Sequence, residues 1–187
     1  MSRLDEVLAF NRKFVENREY EPYLAGKYPR KQLVIVSCMD TRMTELLPKA
    51  LNLKNGDVKI IKTAGALISH PYGSVMRSLL VAVTLLKADE VWVIGHHGCG
   101  MVGLSAEPVL SGLRSRGVPP ENVQKLRNRG VDVDRWLTGC NTAEDGVKES
   151  VSLLRNHPLW PPDVMVHGLV IDPCTGELTL IDDGRNP

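Results

Sequence analysis

Five residues of this 187-residue chain could do chemistry together: Cys38, Asp40 and Arg42 at alternate positions, and His96 and Cys99 three apart. Thiolate and imidazole are ligands that zinc favours, and a catalytic zinc takes three protein ligands while keeping a fourth position open. Cys38, His96 and Cys99 are therefore the candidate metal ligands, for one Zn2+. Asp40 and Arg42 suit a bidentate ion pair that can hold a water beside the metal. His-x-x-Cys arises easily by chance. Its weight here comes from its company, since Cys38-x-Asp40-x-Arg42 also follows an apolar run.

These residues must be brought together by strands. Leu33-Val34-Ile35-Val36 breaks abruptly into Ser37-Cys38-Met39-Asp40, and Val91-Trp92-Val93-Ile94 into Gly95-His96-His97-Gly98. Unbroken runs of branched apolar residues read as strands buried on both faces, as inside a parallel sheet. Open α/β sheets place their ligands just beyond the carboxyl ends of such strands. The two strand ends are expected to meet around one ion.

An amphipathic helix is expected over residues 4–18, which need an apolar surface to pack on, and a connector over 20–31. Thr44 is the expected N-cap of a short helix, 57–63 a second strand, and 74–87 a helix apolar around most of its circumference and hence buried. With a third strand at 90–95 the order is βαβαβ, a parallel sheet flanked by helices. Two helical pieces follow over 104–130, divided at Pro119-Pro120. Thr142 to Asp145 fits a capping box for a further helix. Strands are expected at 165–171 and 178–181, joined by the Cys174-Thr175-Gly176 turn, so the last pair is antiparallel and lies at an edge. The fold class is α/β, a three-layer, mostly parallel sheet of about five strands. One domain is expected over 1–187, with an amino-terminal helical arm (1–30) and a core (31–187).

Composition narrows the function. A net charge of +1 offers no basic excess to neutralise phosphates, which argues against nucleic acid, and a hydrophobic content of 43% is that of a globular chain. No apolar run reaches the ~18 residues that span a bilayer, and the amino terminus lacks a signal-peptide core. A cytoplasmic location is expected, where four cysteines would stay reduced. The partner left is a small-molecule substrate.

The motifs resemble those of the β-class carbonic anhydrases, Cys-x-Asp-x-Arg and then His-x-x-Cys, each after a parallel strand. The similarity spans roughly residues 31–103 and 163–182 and is nearest the compact prokaryotic branch. It implies zinc on Cys38, His96 and Cys99, Asp40 and Arg42 as the catalytic pair, reversible hydration of carbon dioxide to bicarbonate by a hydroxide nucleophile, and a homodimer as the smallest unit. Two alternatives keep the same zinc site: a hydrolase of carbonyl sulfide or carbon disulfide, and a catalytically silent zinc-binding protein. Two thiolates and a neutral imidazole leave zinc formally neutral. Its water is then less acidified than the value of about 7 typical of three-histidine sites, so activity should rise on the alkaline side.

The remaining candidates are weaker. His97 points away from His96 on an extended segment, Cys140 and Cys174 read as structural thiols, and His70 is a loop histidine that could relay protons. Gly98 to Gly103 matches G-x-G-x-x-G, but after the third strand and with no acidic residue ending a strand about 20 residues on, so it is not a dinucleotide site. Its glycines are expected to turn backbone amides near a helix start toward the metal-bound anion.

Overall fold

The computed structural model describes residues 2–185. Five strands form one sheet in the order β2-β1-β3-β4-β5: β1 (Leu33–Cys38), β2 (Val58–Thr63), β3 (Glu90–His96), β4 (Met165–Ile171) and β5 (Leu178–Asp182). The first four are parallel and β5 runs antiparallel to β4 at the edge. This is the expected α/β fold. β1 lies between β2 and β3, so the carboxyl ends of β1 and β3 are neighbours.

Two helix layers flank the sheet. On one face Val34, Val36, Val91, Val93, Val166 and Val170 pack against α3 (Ser74–Leu85) and α7 (Ala143–Arg155). On the other, Leu33, Ile35, Ile94 and Ile171 meet Met43 and Leu47 of α2 (Met43–Ala50). All six residues of β1 are buried, which is why its sequence is apolar without alternation. Val147 of α7 fits a notch that two glycines leave in the sheet. A Cβ on Gly168 or Gly95 would come within 2.6 or 2.9 Å of its methyls, closer than carbon atoms pack.

Four local expectations are corrected. Strands β1 and β3 run on through Cys38 and His96, so these residues lie on the sheet and not past it. Thr44 is not an N-cap: α2 begins at Met43, because the Asp40 side chain takes the Arg42 amide and starts the turn earlier. Helix α3 is buried on one side only, through Met76, Leu79 and Ala82, while Val81 and Leu85 lie open; it packs beside the edge strand β2, and among the described residues nothing covers its outer face. Thr142 caps α7 by accepting from the Asp145 amide, without the return bond of a full capping box.

Helices α4 (Ala106–Ser115), α5 (Pro120–Asn128) and α6 (Val133–Leu137) form a satellite around Ala106, Leu110 and Val133. The five-residue α6 is too short for a periodic pattern to reveal. The amino-terminal helix α1 (Arg3–Glu16) carries a capping box between Ser2 and Asp5 but buries none of its residues.

Candidate metal centre

The strand ends meet as expected. One possible ligand atom each from Cys38, His96 and Cys99 lies within 4.8 Å of the other two. Sγ of Cys38 and Sγ of Cys99 are 3.9 Å apart. Two thiolates at ~2.3 Å from one tetrahedral ion would be separated by roughly 3.8 Å, so the pair is already spaced for zinc.

The imidazole supplies a second test. Nδ1 of His96 is 2.9 Å from the carbonyl of His97. A carbonyl only accepts, so Nδ1 carries the proton and Nε2 is left with a lone pair. That Nε2 is buried without a hydrogen-bond partner, a costly arrangement that a bound cation would relieve. The carbonyl is also the kind of outer partner that fixes a ligating imidazole. These residues fit a zinc ion.

Backbone amides complete the sulfur environment: Gly65 N–H donates to Cys38 Sγ at 3.4 Å and Met101 N–H to Cys99 Sγ at 3.5 Å. Gly65 sits at φ +73°, and a Cβ there would lie 2.9 Å from that of Met101, so glycine permits both the turn and the approach. Burial pushes the Cys99 thiol up; the Met101 amide opposes this and nearby Cys38 adds to it. A bound cation would offset this and favour the Cys99 thiolate. The Gly98–Gly103 segment does not act as expected, since α4 starts only at Ala106; the Gly98 carbonyl instead accepts from the Arg42 guanidinium.

Asp40 is gripped by Arg42. Arg42 Nε donates to Oδ1 at 3.0 Å, Nη2 to Oδ2 at 2.8 Å, and the Arg42 amide to Oδ1 at 2.9 Å. The guanidinium's hydrogen bonds hold the Asp40 carboxyl well below the usual carboxylate range, so it is ionised at any ordinary pH. Arg42 Nη2 also reaches the Gly98 carbonyl at 3.1 Å, tying the end of β1 to the loop after β3.

The other candidates lie apart from the cluster. His97 is half-exposed, its Nδ1 3.8 Å from Glu144. His70 accepts the Tyr72 amide in an exposed loop. Cys140 is buried and Cys174 exposed. Lys62, which sequence reasoning missed, donates from Nζ to the carbonyls of Cys38 and Met43. Burial pulls its ammonium down, with Cys38 and Asp40 acting in the opposite sense.

Comparison with known proteins agrees with this geometry. A family model described as carbonic anhydrase matches residues 33–178 and so extends through the 104–162 region that the motifs alone leave out. YtiB of Bacillus subtilis (strain 168), provisionally named a carbonic anhydrase, is 55% identical over 186 residues, covering 100% of each chain. A carbon disulfide hydrolase of Acidithiobacillus thiooxidans is 25% identical over 156 residues, 79% of this chain and 76% of that one. Among solved structures, β-carbonic anhydrase isoform I of Trichomonas vaginalis superposes with a TM-score of 0.89 at 32% identity, covering 98% of this chain and 100% of that one. With its sheet, its Cys-His-Cys cluster and a match over most of its length, the chain belongs to the β-carbonic anhydrase family.

Proposed function

We propose that this protein is a carbonic anhydrase that reversibly hydrates carbon dioxide to bicarbonate, with zinc held by Cys38, His96 and Cys99. The observation that carries this reading is the ionised Asp40, locked to Arg42, beside the unpartnered Nε2 of His96. Bound there, zinc would supply Lewis acidity that makes a water more nucleophilic, increasingly so on the alkaline side of neutral. Asp40 accepts a hydrogen bond from the attacking water and orients it. Arg42 positions Asp40, keeps it ionised and keeps it out of the ligand set. The Gly65 and Met101 amides spread the charge of the two thiolates.

A homodimer is the assembly proposed. Helix α1 exposes Leu4, Val7, Leu8, Phe10 and Val15, and a groove of about 540 Å³ beside β2 and α3 is lined by Ile60, Ile61, Val81 and Leu86 among others. A second copy can cover both surfaces. Among the described residues no helix is long and apolar enough to cross a membrane. We place the protein in the cytoplasm, where its thiols stay reduced.

The test is an assay of zinc-loaded protein for carbon dioxide hydration and for hydrolysis of carbonyl sulfide and carbon disulfide, from neutral to alkaline pH. Hydration alone supports the proposal. Sulfide release would transfer the same site to a sulfur substrate, and no turnover on any substrate would leave a zinc-binding protein without this catalysis.

A further inference from the structure

Lys62 stands one residue before the end of β2, opposite Ser37 in the register with β1. Its Nζ donates to two backbone carbonyls, those of Cys38 and Met43, each at 3.3 Å. Cys38 is the last residue of β1 and Met43 the first of α2. Between them lie residues 39–42, the turn that presents Asp40 and Arg42. One cation thus bridges both ends of the segment on which the pair is built.

The turn needs such a bridge. The hydrogen bonds to the Asp40 carboxylate all come from Arg42, two residues away, so they fix the pair internally without fixing it to the sheet. The turn's further ties are Met39 N–H to the Thr63 carbonyl at 2.8 Å, Arg42 to the Gly98 carbonyl at 3.1 Å and, at the helix start, Met43 N–H to the Asp40 carbonyl at 3.0 Å and Thr44 N–H to the Thr41 carbonyl at 3.3 Å. Each acts at one end of the turn or through the tip of a long side chain, and none spans from the strand end to the helix start. Lys62 is the group that draws the strand end and the helix start together, and an ammonium offers three donors for doing so. A charged donor also makes a stronger bond to a carbonyl than a neutral one.

We infer that Lys62 is a positioning residue that, by bridging the Cys38 and Met43 carbonyls, holds Asp40 on Arg42 and clear of the fourth metal position. This rests on the proposed zinc centre with Asp40 as the partner of the attacking water. Loosening the turn would let the carboxylate exchange between Arg42 and the metal, and each excursion would block the open position. The loss would fall on turnover, because the geometry that binds substrate is otherwise retained.

The test compares the parent with Lys62→Met, which keeps the aliphatic stem, and Lys62→Arg, which restores a cationic donor. Zinc content, exchange of the Arg42 Nε–H with water by 15N NMR, and kcat and KM for carbon dioxide hydration are measured at one pH. The expected result for Lys62→Met is parental zinc content, Arg42 Nε–H exchange faster by roughly tenfold and kcat lower by a similar factor, the scale of one charge-assisted hydrogen bond. KM should stay near the parental value and Lys62→Arg should recover both quantities. Parental Arg42 exchange in Lys62→Met, loss of zinc, or failure of Lys62→Arg to rescue would overturn the inference. Where Lys62→Met does not fold, Lys62→Gln takes its place under the same outcomes. If the parent itself lacks hydration activity, the proposed function fails, while the Arg42 exchange still decides whether Lys62 holds the turn.

Discussion

Oδ2 of Asp40 lies 3.8 Å from Nε2 of His96 while accepting a hydrogen bond from Arg42 at 2.8 Å. Two first-row ligands at ~2.0–2.1 Å on one tetrahedral zinc would be roughly 3.3 Å apart. Asp40 Oδ2 is thus somewhat farther from Nε2 than a fellow zinc ligand would be, and the guanidinium holds it there. Whether it acts as a helper or a plug is what a substitution can decide.

Replacing Asp40 by Asn tests that distinction. The amide keeps the shape but loses the charge that accepts from water and binds Arg42. Zinc content should remain parental, because Asp40 is outside the Cys-His-Cys cluster. Turnover should fall by about 10²- to 10⁴-fold, the usual range for a positioned acid–base group. Metal analysis alongside stopped-flow hydration gives the answer, and normal turnover would remove Asp40 from the mechanism.

Cys38→Ser addresses the metal itself. A serine hydroxyl is a poor zinc ligand at neutral pH, and Cys38 also ends a strand buried along its whole length. The variant should hold well under one zinc per chain. A chelator should lower the thermal midpoint of the parent and leave that of the variant unchanged, since binding to the folded state alone is what links metal to stability. A variant that keeps stoichiometric zinc would place the ion elsewhere.

The sequence made the site legible because its signals are local and redundant: two apolar runs with no alternation, each ending in ligand-type residues, which only a parallel sheet can bring side by side. Those signals alone place Cys38 and His96 at one centre. The parts that were not legible depend on partners far along the chain. Thr44 looked like a cap because the competing bond from Asp40 to the Arg42 amide is a tertiary choice of the turn. Residues 74–87 read as buried because the pattern shows that α3 is apolar round most of its circumference, and not that the sheet covers only its Met76, Leu79 and Ala82 side. Lys62 gave no signal: lysine on an edge strand ordinarily serves to keep that edge in water, and its two carbonyl contacts follow only from the register of β2 on β1.

Asp57 makes a pH-dependent contribution whose sign can be stated. Its carboxylate accepts the Lys54 amide at 2.8 Å and the Arg30 Nε at 2.8 Å, and the amide first, then the guanidinium, hold it below the usual range. A carboxylate with a lower pKa folded than unfolded binds fewer protons in the folded state. Its stabilisation is therefore complete above the unfolded value of about 3.9 and drains away as pH falls through the folded one. Asp57→Asn should melt below the parent at pH 7, and the gap should shrink as melts are repeated below pH 4. A gap independent of pH would mean that the charge of Asp57 contributes nothing.

Gly139 offers a test of how the distant loop supports the centre. A Cβ at this position would lie 1.8 Å from the Met101 carbonyl oxygen and 2.8 Å from its carbon, and a backbone group cannot rotate out of the way as a side chain can. The two segments are also stitched together: Gly139 N–H donates to the Leu104 carbonyl at 2.8 Å, Cys140 N–H to the Met101 carbonyl at 3.0 Å, and Gly103 N–H to the Cys140 carbonyl at 2.8 Å. Gly139→Ala must push Met101 away, and with it the amide that donates to Cys99 Sγ at 3.5 Å. Overpacking of this kind costs about 1–3 kcal/mol, and loss of a bond to a metal ligand typically weakens metal affinity by about 10- to 100-fold. Chelator competition should show that weakening together with a lower melting point. Gly112→Ala is the control: it lies inside α4 with nothing within 4 Å of its would-be Cβ, so alanine should leave zinc affinity unchanged and raise stability by roughly 0.5–1 kcal/mol. Equal zinc affinity in Gly139→Ala and Gly112→Ala would mean that the Met101 amide adds nothing to the hold on the metal.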